Sequence, residues 1–109
     1  MKPSAIRSNT LYHQPAQGWF RYISQINDDI VFWYTIFPDG RTTCYEDGLA
    51  STCLVRSFSR VVDRVATKEE LDQYQSSIDQ IKETIAASSD WSEVSRQINQ
   101  IIQQNKQTT

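Results

Sequence analysis

One histidine in 109 residues, His13, is the only side chain of the type that usually serves as a base at neutral pH. A serine, threonine or cysteine nucleophile needs such a base within hydrogen-bond reach, and His13 lies in a polar N-terminal stretch where we expect it to be exposed. The acidic pairs Asp28/Asp29 and Asp39/Asp47 fall at predicted turns, where aspartate commonly forms the turn itself. The sequence therefore predicts a protein that is not an enzyme, with a catalytic carboxylate pair as the remaining alternative.

Two cysteines, Cys44 and Cys53, complete the set of reactive side chains. A structural zinc ion needs four ligands, and the two thiols with His13 supply three at unsuitable spacing. We expect both thiols to be reduced and buried, with a disulfide between neighbouring strands as the alternative. The three glycines fall at predicted turns or strand starts and form no phosphate-binding loop. The sequence thus predicts no metal and no cofactor.

Charge is distributed unevenly along the chain, although the formal net charge is only −2. Residues 1–66 carry seven basic and six acidic side chains, whereas residues 67–109 carry four basic and seven acidic ones. An acidic segment repels phosphate, so a nucleic-acid-binding role would belong to the first part of the chain.

Aromatic and β-branched residues predict a β-rich region over residues 18–66. Five strands are expected: Trp19–Ile26, Ile30–Phe37, Arg41–Glu46, Cys53–Ser57 and Val61–Val65. The last two are ambiguous, because Leu54, Phe58, Val61 and Val65 also fall at helical spacing. Both faces of the second strand are apolar, which is typical of a strand covered on two sides or of a small barrel.

Two amphipathic helices are predicted within residues 67–104. Thr67 and Glu70 form a capping box that starts the first helix, and Asp90 with Glu93 repeats the pattern. Behind each cap runs an apolar stripe, Leu71, Tyr74, Ile78, Ile81 and Ile85 in the first helix and Trp91, Val94, Ile98 and Ile101 in the second. The stripes are out of phase by one residue, so we expect a break near Ser88–Asp90 and an antiparallel hairpin.

The predicted fold class is α+β: a small curved antiparallel sheet or barrel followed by two C-terminal helices. In outline it resembles the small SH3-like barrels with an appended helix, which implies nothing about function. Residues 1–17 are expected to form a flexible arm and residues 105–109 a disordered tail. We expect a cytoplasmic protein with no membrane partner, because no apolar run approaches the length of a membrane span and the N-terminus lacks an export signal.

With no catalytic set in view, we expect the protein to work by binding, as an adaptor or accessory protein. The first candidate partner is another protein or a second copy of this chain, bound through the helix stripes at Leu71, Tyr74, Ile78, Ile81, Ile85, Trp91, Val94 and Ile98. The stripes could equally belong to the core. The alternative partner is single-stranded nucleic acid, bound by aromatic rings and arginines of the sheet at Arg21, Tyr22, Trp33, Arg41, Tyr45, Arg56 and Arg60.

Overall fold

A computed structural model describes the backbone of residues 1–45 and 48–107 and the side chains of residues 1–45 and 48–87. In these residues a 3-10 turn, Pro3–Ala5, precedes the first strand. The strands are β1 (Thr10–Gln14), β2 (Trp19–Asn27), β3 (Ile30–Ile36), β4 (Ser51–Leu54) and β5 (Arg64–Val65). Two α-helices, α1 (Val55–Val61) and α2 (Lys68–Gln107), complete the fold.

The strands form one antiparallel sheet in the order β4-β3-β2-β1-β5, so the protein is an α+β fold. β4 and β5 are the two edges of this sheet and do not pair with each other in the described part of the chain. The sheet is therefore not closed among these residues. The predicted antiparallel sheet is confirmed, and its alternative, an SH3-like barrel, is not confirmed.

The predicted N-terminal arm contains a strand of the sheet. β1 pairs along its whole length with β2, in the register Leu11↔Tyr22 and His13↔Phe20. Leu11 and Tyr12 are fully buried, on opposite faces of the sheet. This strand was not predicted because the residues around Leu11 and Tyr12 are mostly polar. Only the tertiary contacts show that these two side chains are buried.

The chain between β3 and β4 does not form the predicted third strand. Of Arg41–Glu46, only Thr42 makes a bridge, to Ile36, and Glu46 lies outside the described residues. The following stretch is part strand and part helix, with β4 leading directly into α1. The strands expected at Cys53–Ser57 and Val61–Val65 are therefore wrong over α1, where the helical alternative is correct. Phe58 of α1 and Val62 just after it are buried against the sheet.

Both faces of the sheet are covered, as the two-sided apolar pattern of β3 predicts. We call them the α2 face and the α1 face. On the α2 face, the first half of α2 packs against the sheet, and the buried side chains are Leu11, Phe20, Tyr22, Tyr34, Ile36, Ala66, Tyr74, Ile78 and Ile81. On the α1 face, helix α1 and the N-terminal segment cover Tyr12, Ile23 and Val31 with Ile6, Phe58 and Val62.

One helix replaces the predicted helical pair. The capping box is confirmed: the Glu70 amide donates to Thr67 Oγ1 (3.2 Å), and the Thr67 amide donates to Glu70 Oε1 (2.9 Å). From there α2 runs through Ser88–Asp90 without a break. Residues 67–109 contain no glycine or proline, so no residue there forces the helix to end. At 1.5 Å per residue α2 is about 60 Å long, roughly twice the length of the nine-residue strand β2.

Candidate nucleic-acid interface

Part of the α1 face is left half-exposed, because α1 has only seven residues and covers one end of the sheet. Trp19, Arg21 and Ile23 alternate along β2 onto this face, as do Val31 and Trp33 along β3. Ile23 and Val31 are buried beneath α1, whereas Trp19, Arg21 and Trp33 are half-buried. We call Trp19, Arg21, Trp33 and the neighbouring Phe37 the aromatic patch.

Contacts between rings hold the aromatic patch together. Trp19 and Phe37 meet edge to face with ring centroids 4.9 Å apart. Trp33 contacts Phe58 of α1 in the same way, at 5.8 Å. Such pairs are rigid and partly open to solvent, which makes them suitable platforms for a flat ligand.

The guanidinium of Arg21 lies close to the rings of Trp33 and Phe58. Its Cζ is 4.7 Å from the centroid of Trp33 and 5.7 Å from that of Phe58, within the range of cation–π attraction. Its Nε donates to Gln14 Oε1 at 2.7 Å, and Gln14 in turn bonds to Gln17. Burial lowers the pKa of Arg21, because a desolvated cation is disfavoured.

The layer that covers the α1 face is basic. Residues 1–27 and 48–62 contain no aspartate or glutamate. Lys2, Arg7, Arg56 and Arg60 are exposed in this layer, and the N-terminal ammonium donates to the Ser59 carbonyl (3.0 Å). Two acidic residues lie at the ends of α1. The backbone carbonyl of Asp29 accepts a hydrogen bond from the Val55 amide at the start of the helix, and Asp63 follows its end. The α2 face has the opposite sign, since Lys68–Ala87 holds five acidic and two basic residues.

The residues predicted for a nucleic-acid face are divided by the fold. Arg21, Trp33, Arg56 and Arg60 belong to the α1 side of the sheet. Tyr22 does not, because it is buried under α2, where its hydroxyl bonds to Asn9.

Arg41 and Tyr45, also predicted for that face, are exposed on the connection between β3 and β4. Arg41 pairs with Asp39 (Nε to Oδ2, 2.5 Å) and lies over Phe37, with its Cζ 5.7 Å from the ring centroid. The residues predicted for this face did not include Trp19 and Phe37. Trp19 could have been predicted, because residues two apart in a strand lie on the same face and Trp19 is two residues before Arg21.

The first part of the helix stripe that was predicted to bind a partner belongs to the hydrophobic core. Tyr74, Ile78 and Ile81 are buried against the sheet, the alternative that the sequence left open, and Leu71 and Ile85 are half-buried beside them. The remaining predicted residues, Trp91, Val94 and Ile98, have helical backbone, and their side chains lie outside the described part.

His13 is not the exposed residue expected from its polar surroundings. It lies on β1 with one-fifth of its side chain exposed, and its Nδ1 is 2.8 Å from Asp63 Oδ1. The hydrogen bond from His13 lowers the pKa of Asp63. The Asp63 amide also donates to the His13 carbonyl, so the pair ties the end of α1 to β1.

The cysteines do not form a disulfide, and both are half-buried. Burial raises the pKa of the Cys53 thiol, which lies near Arg21. Across the described residues, no three histidine, cysteine or acidic side chains meet in a way that could hold a metal ion.

The helices of the described part include none with the length and apolar character that crossing a membrane requires. Comparison with known proteins found no family model, no curated protein and no solved structure that matches this chain.

Proposed function

We propose that the protein binds single-stranded nucleic acid on the α1 side of its sheet. The observation that carries this proposal is the half-exposed aromatic patch within a layer that has five basic side chains and no acidic ones over residues 1–27 and 48–62. Proteins that grip single strands combine these two features, stacking bases on rings and tracking phosphates with arginine or lysine. Each stacked base contributes about 1–3 kcal/mol.

The acidic α2 does not oppose this role. It packs on the other face of the sheet, so its carboxylates are separated from the aromatic patch by a layer of backbone and core. Most of these carboxylates, those of Glu69, Asp72, Asp79 and Glu83, are exposed to solvent. At physiological salt, exposed charges further apart than about 8 Å are largely screened from one another. The net charge of −2 is small because the basic residues of the α1 side and the acidic residues of the α2 side nearly cancel.

A fluorescence titration tests the proposal. Tryptophan emission is followed while a thymidine oligonucleotide of about 15 nucleotides, a length within the usual site size, is added at low and at high salt. We expect quenching with micromolar affinity that weakens steeply as salt rises, because phosphate contacts release counterions. No quenching at low salt would refute nucleic-acid binding.

A matched pair of double variants locates the surface. Arg56→Gln with Arg60→Gln removes two exposed charges from the α1 side, and Lys68→Gln with Lys82→Gln removes two from α2. We expect the first pair to lower affinity about tenfold or more and the second to leave it unchanged or slightly raised. Equal effects of the two pairs would show that binding is not confined to the α1 side.

Self-association is a second candidate function, and the length of α2 favours it. The sheet accommodates the part of α2 that carries Tyr74 and Ile81, yet the helix continues to Gln107. In that continuation the sequence repeats apolar residues at the 3-4 spacing of a coiled coil, at Trp91, Val94 and Ile98. We propose a second copy of the chain as the partner.

The charges of the continuation favour antiparallel pairing of two copies. Asp90 and Glu93 lie in its first turns, whereas Arg96 and Lys106 follow them. Pairing centred on Ile98 would set Asp90 of one copy opposite Lys106 of the other. Opposite charges at such flanking positions help to fix the orientation of helices.

Light scattering over about 10–500 µM, which detects dissociation constants in the micromolar to submillimolar range, tests self-association. We expect a dimer that the double variant Val94→Glu with Ile98→Glu converts to a folded monomer, whose unfolding midpoint is lower and no longer depends on protein concentration. A wild-type monomer across the whole range would refute this candidate.

A further inference from the structure

We infer that Arg21 is a dedicated phosphate-binding residue, held in place by Gln14 and Trp33. The inference deepens the proposed function, on which it rests for the source of the phosphate, a nucleic-acid strand. The guanidinium of Arg21 is already positioned before a ligand binds, whereas Arg56 and Arg60 of α1 are exposed at the surface.

The orientation of the guanidinium is fixed on two sides. The Trp33 and Phe58 rings lie beside it, with their centroids 4.7 and 5.7 Å from Cζ, and Gln14 accepts the Nε hydrogen at 2.7 Å. Gln14 is itself buried and is bonded to Gln17, so it cannot turn away freely. A guanidinium held in this way loses little conformational freedom when it binds a ligand.

The remaining N–H groups of Arg21 are available to a ligand. In the described structure, the two Nη atoms donate to no protein acceptor, and no buried side-chain nitrogen lacks a partner, so these atoms face solvent. Two parallel N–H groups match two oxygens of one phosphate. Thr35 lies directly opposite Arg21 across the β2–β3 pair, and its half-buried position adds a hydroxyl to the same surface.

Charge distinguishes Arg21 from Arg64, the other half-buried arginine among residues 1–45 and 48–87. Arg64 is paired with Glu70, Nη1 to Oε1 at 2.6 Å, and that hydrogen bond raises its pKa. Arg21 has no carboxylate partner among the described residues. The titratable group that acts on it is the Cys53 thiol, whose own pKa is raised by burial, which favours the neutral form.

A partly desolvated cation without a counter-ion is costly, and an anionic ligand removes that cost. Phosphate fits better than a carboxylate of the protein itself, because none of the described acidic side chains reaches the guanidinium. Trp19 is half-exposed and lies on the same strand face two residues before Arg21, so its ring offers a place for a base next to the bound phosphate. Arg21 and Trp19 together would thus bind one nucleotide unit through its phosphate and its base.

The test uses the full chain and two probes. Inorganic phosphate is titrated while the Arg21 Nε resonance is followed by nitrogen NMR, and the thymidine oligonucleotide is titrated by fluorescence. Arg21→Lys keeps the charge but loses the fork of N–H groups. Arg64→Lys is the matched control, because Arg64 is also half-buried but is paired with Glu70 and lies outside the proposed binding surface. We expect phosphate to move the Arg21 resonance, Arg21→Lys to weaken oligonucleotide binding about tenfold, and Arg64→Lys to change it less than twofold.

The outcomes separate the inference from the proposed function. An oligonucleotide bound equally well by wild type and Arg21→Lys, with an unmoved Nε resonance, would overturn the inference and leave nucleic-acid binding intact. Phosphate binding at Arg21 without oligonucleotide binding would support the inference and overturn the proposed function. An unmoved resonance with no oligonucleotide binding would overturn both. Unfolding midpoints of both variants confirm that the comparison is made between folded proteins.

Discussion

Arg64 and Glu70 join strand β5 to the first turn of α2 through two parallel hydrogen bonds, Nη1 to Oε1 at 2.6 Å and Nη2 to Oε2 at 3.1 Å. The same carboxylate accepts the Thr67 amide in the capping box. One side chain therefore caps the long helix and anchors an edge strand, so its charge state matters to both.

Stability should fall in acid as Glu70 becomes protonated. Hydrogen bonds from Arg64 and Thr67 lower the pKa of Glu70 from an ordinary 4.5 to about 2. A pKa that folding depresses means that the stabilisation is complete above about pH 4.5 and is lost as pH falls towards 2. Glu70→Gln should therefore lower the urea midpoint at pH 7 and reduce its dependence on pH between 5 and 2. Glu69→Gln, an exposed change in the same turn, is the control and should leave that dependence as in wild type.

Tyr12 should pin the N-terminal segment to the sheet. Its buried hydroxyl accepts the Arg7 amide (2.7 Å) and donates to the Ala5 carbonyl (3.1 Å). Tyr12→Phe leaves both backbone groups without this partner, which should lower the free energy of unfolding by about 1–3 kcal/mol. Hydrogen exchange should quicken at Arg7. Tyr45→Phe, at a ring that is 69% exposed, is the matched control, and an equal loss in both variants would contradict this role of Tyr12.

Ile81 should behave as a core residue and not as a partner contact. Its side chain is completely buried between α2 and the sheet. Ile81→Ala should cost about 2–5 kcal/mol in urea unfolding, because it leaves a cavity in a packed interior. Ile81→Glu should unfold the protein. A folded, monomeric Ile81→Glu variant would instead identify this stretch of α2 as an interface.

The carboxyl group of Asp63 should report the presence of its histidine partner. Since the hydrogen bond from His13 is the largest cause of the lowered pKa of Asp63, His13→Gln should raise that pKa towards its ordinary value. Carbon NMR of the side-chain carboxyl measures the change. Asp39, whose pKa is lowered by Arg41 in a separate loop, should titrate as before. An Asp63 titration unaffected by His13→Gln would contradict the pairing.

The sequence alone located the features that depend on near neighbours in the chain. The capping box needs only Thr67 and Glu70 three residues apart, and the buried stripe of Tyr74, Ile78 and Ile81 follows from helical spacing. The composition of β3 likewise predicted a strand covered on both faces. These features could be predicted because they depend only on the spacing of residues within one or two helical turns or along one strand.

Tertiary structure decided what depends on distant partners. β1 exists as a strand because Leu11 and Tyr12 find cover from α2 on one side and α1 on the other. Helix α1, at seven residues, is too short to be stable alone and is helical because Phe58 and Val62 pack on the sheet. The same short helix leaves Trp19, Arg21 and Trp33 half-exposed. Burial is a property of the assembled layers, so composition could supply the rings and the arginine but not the face on which they meet.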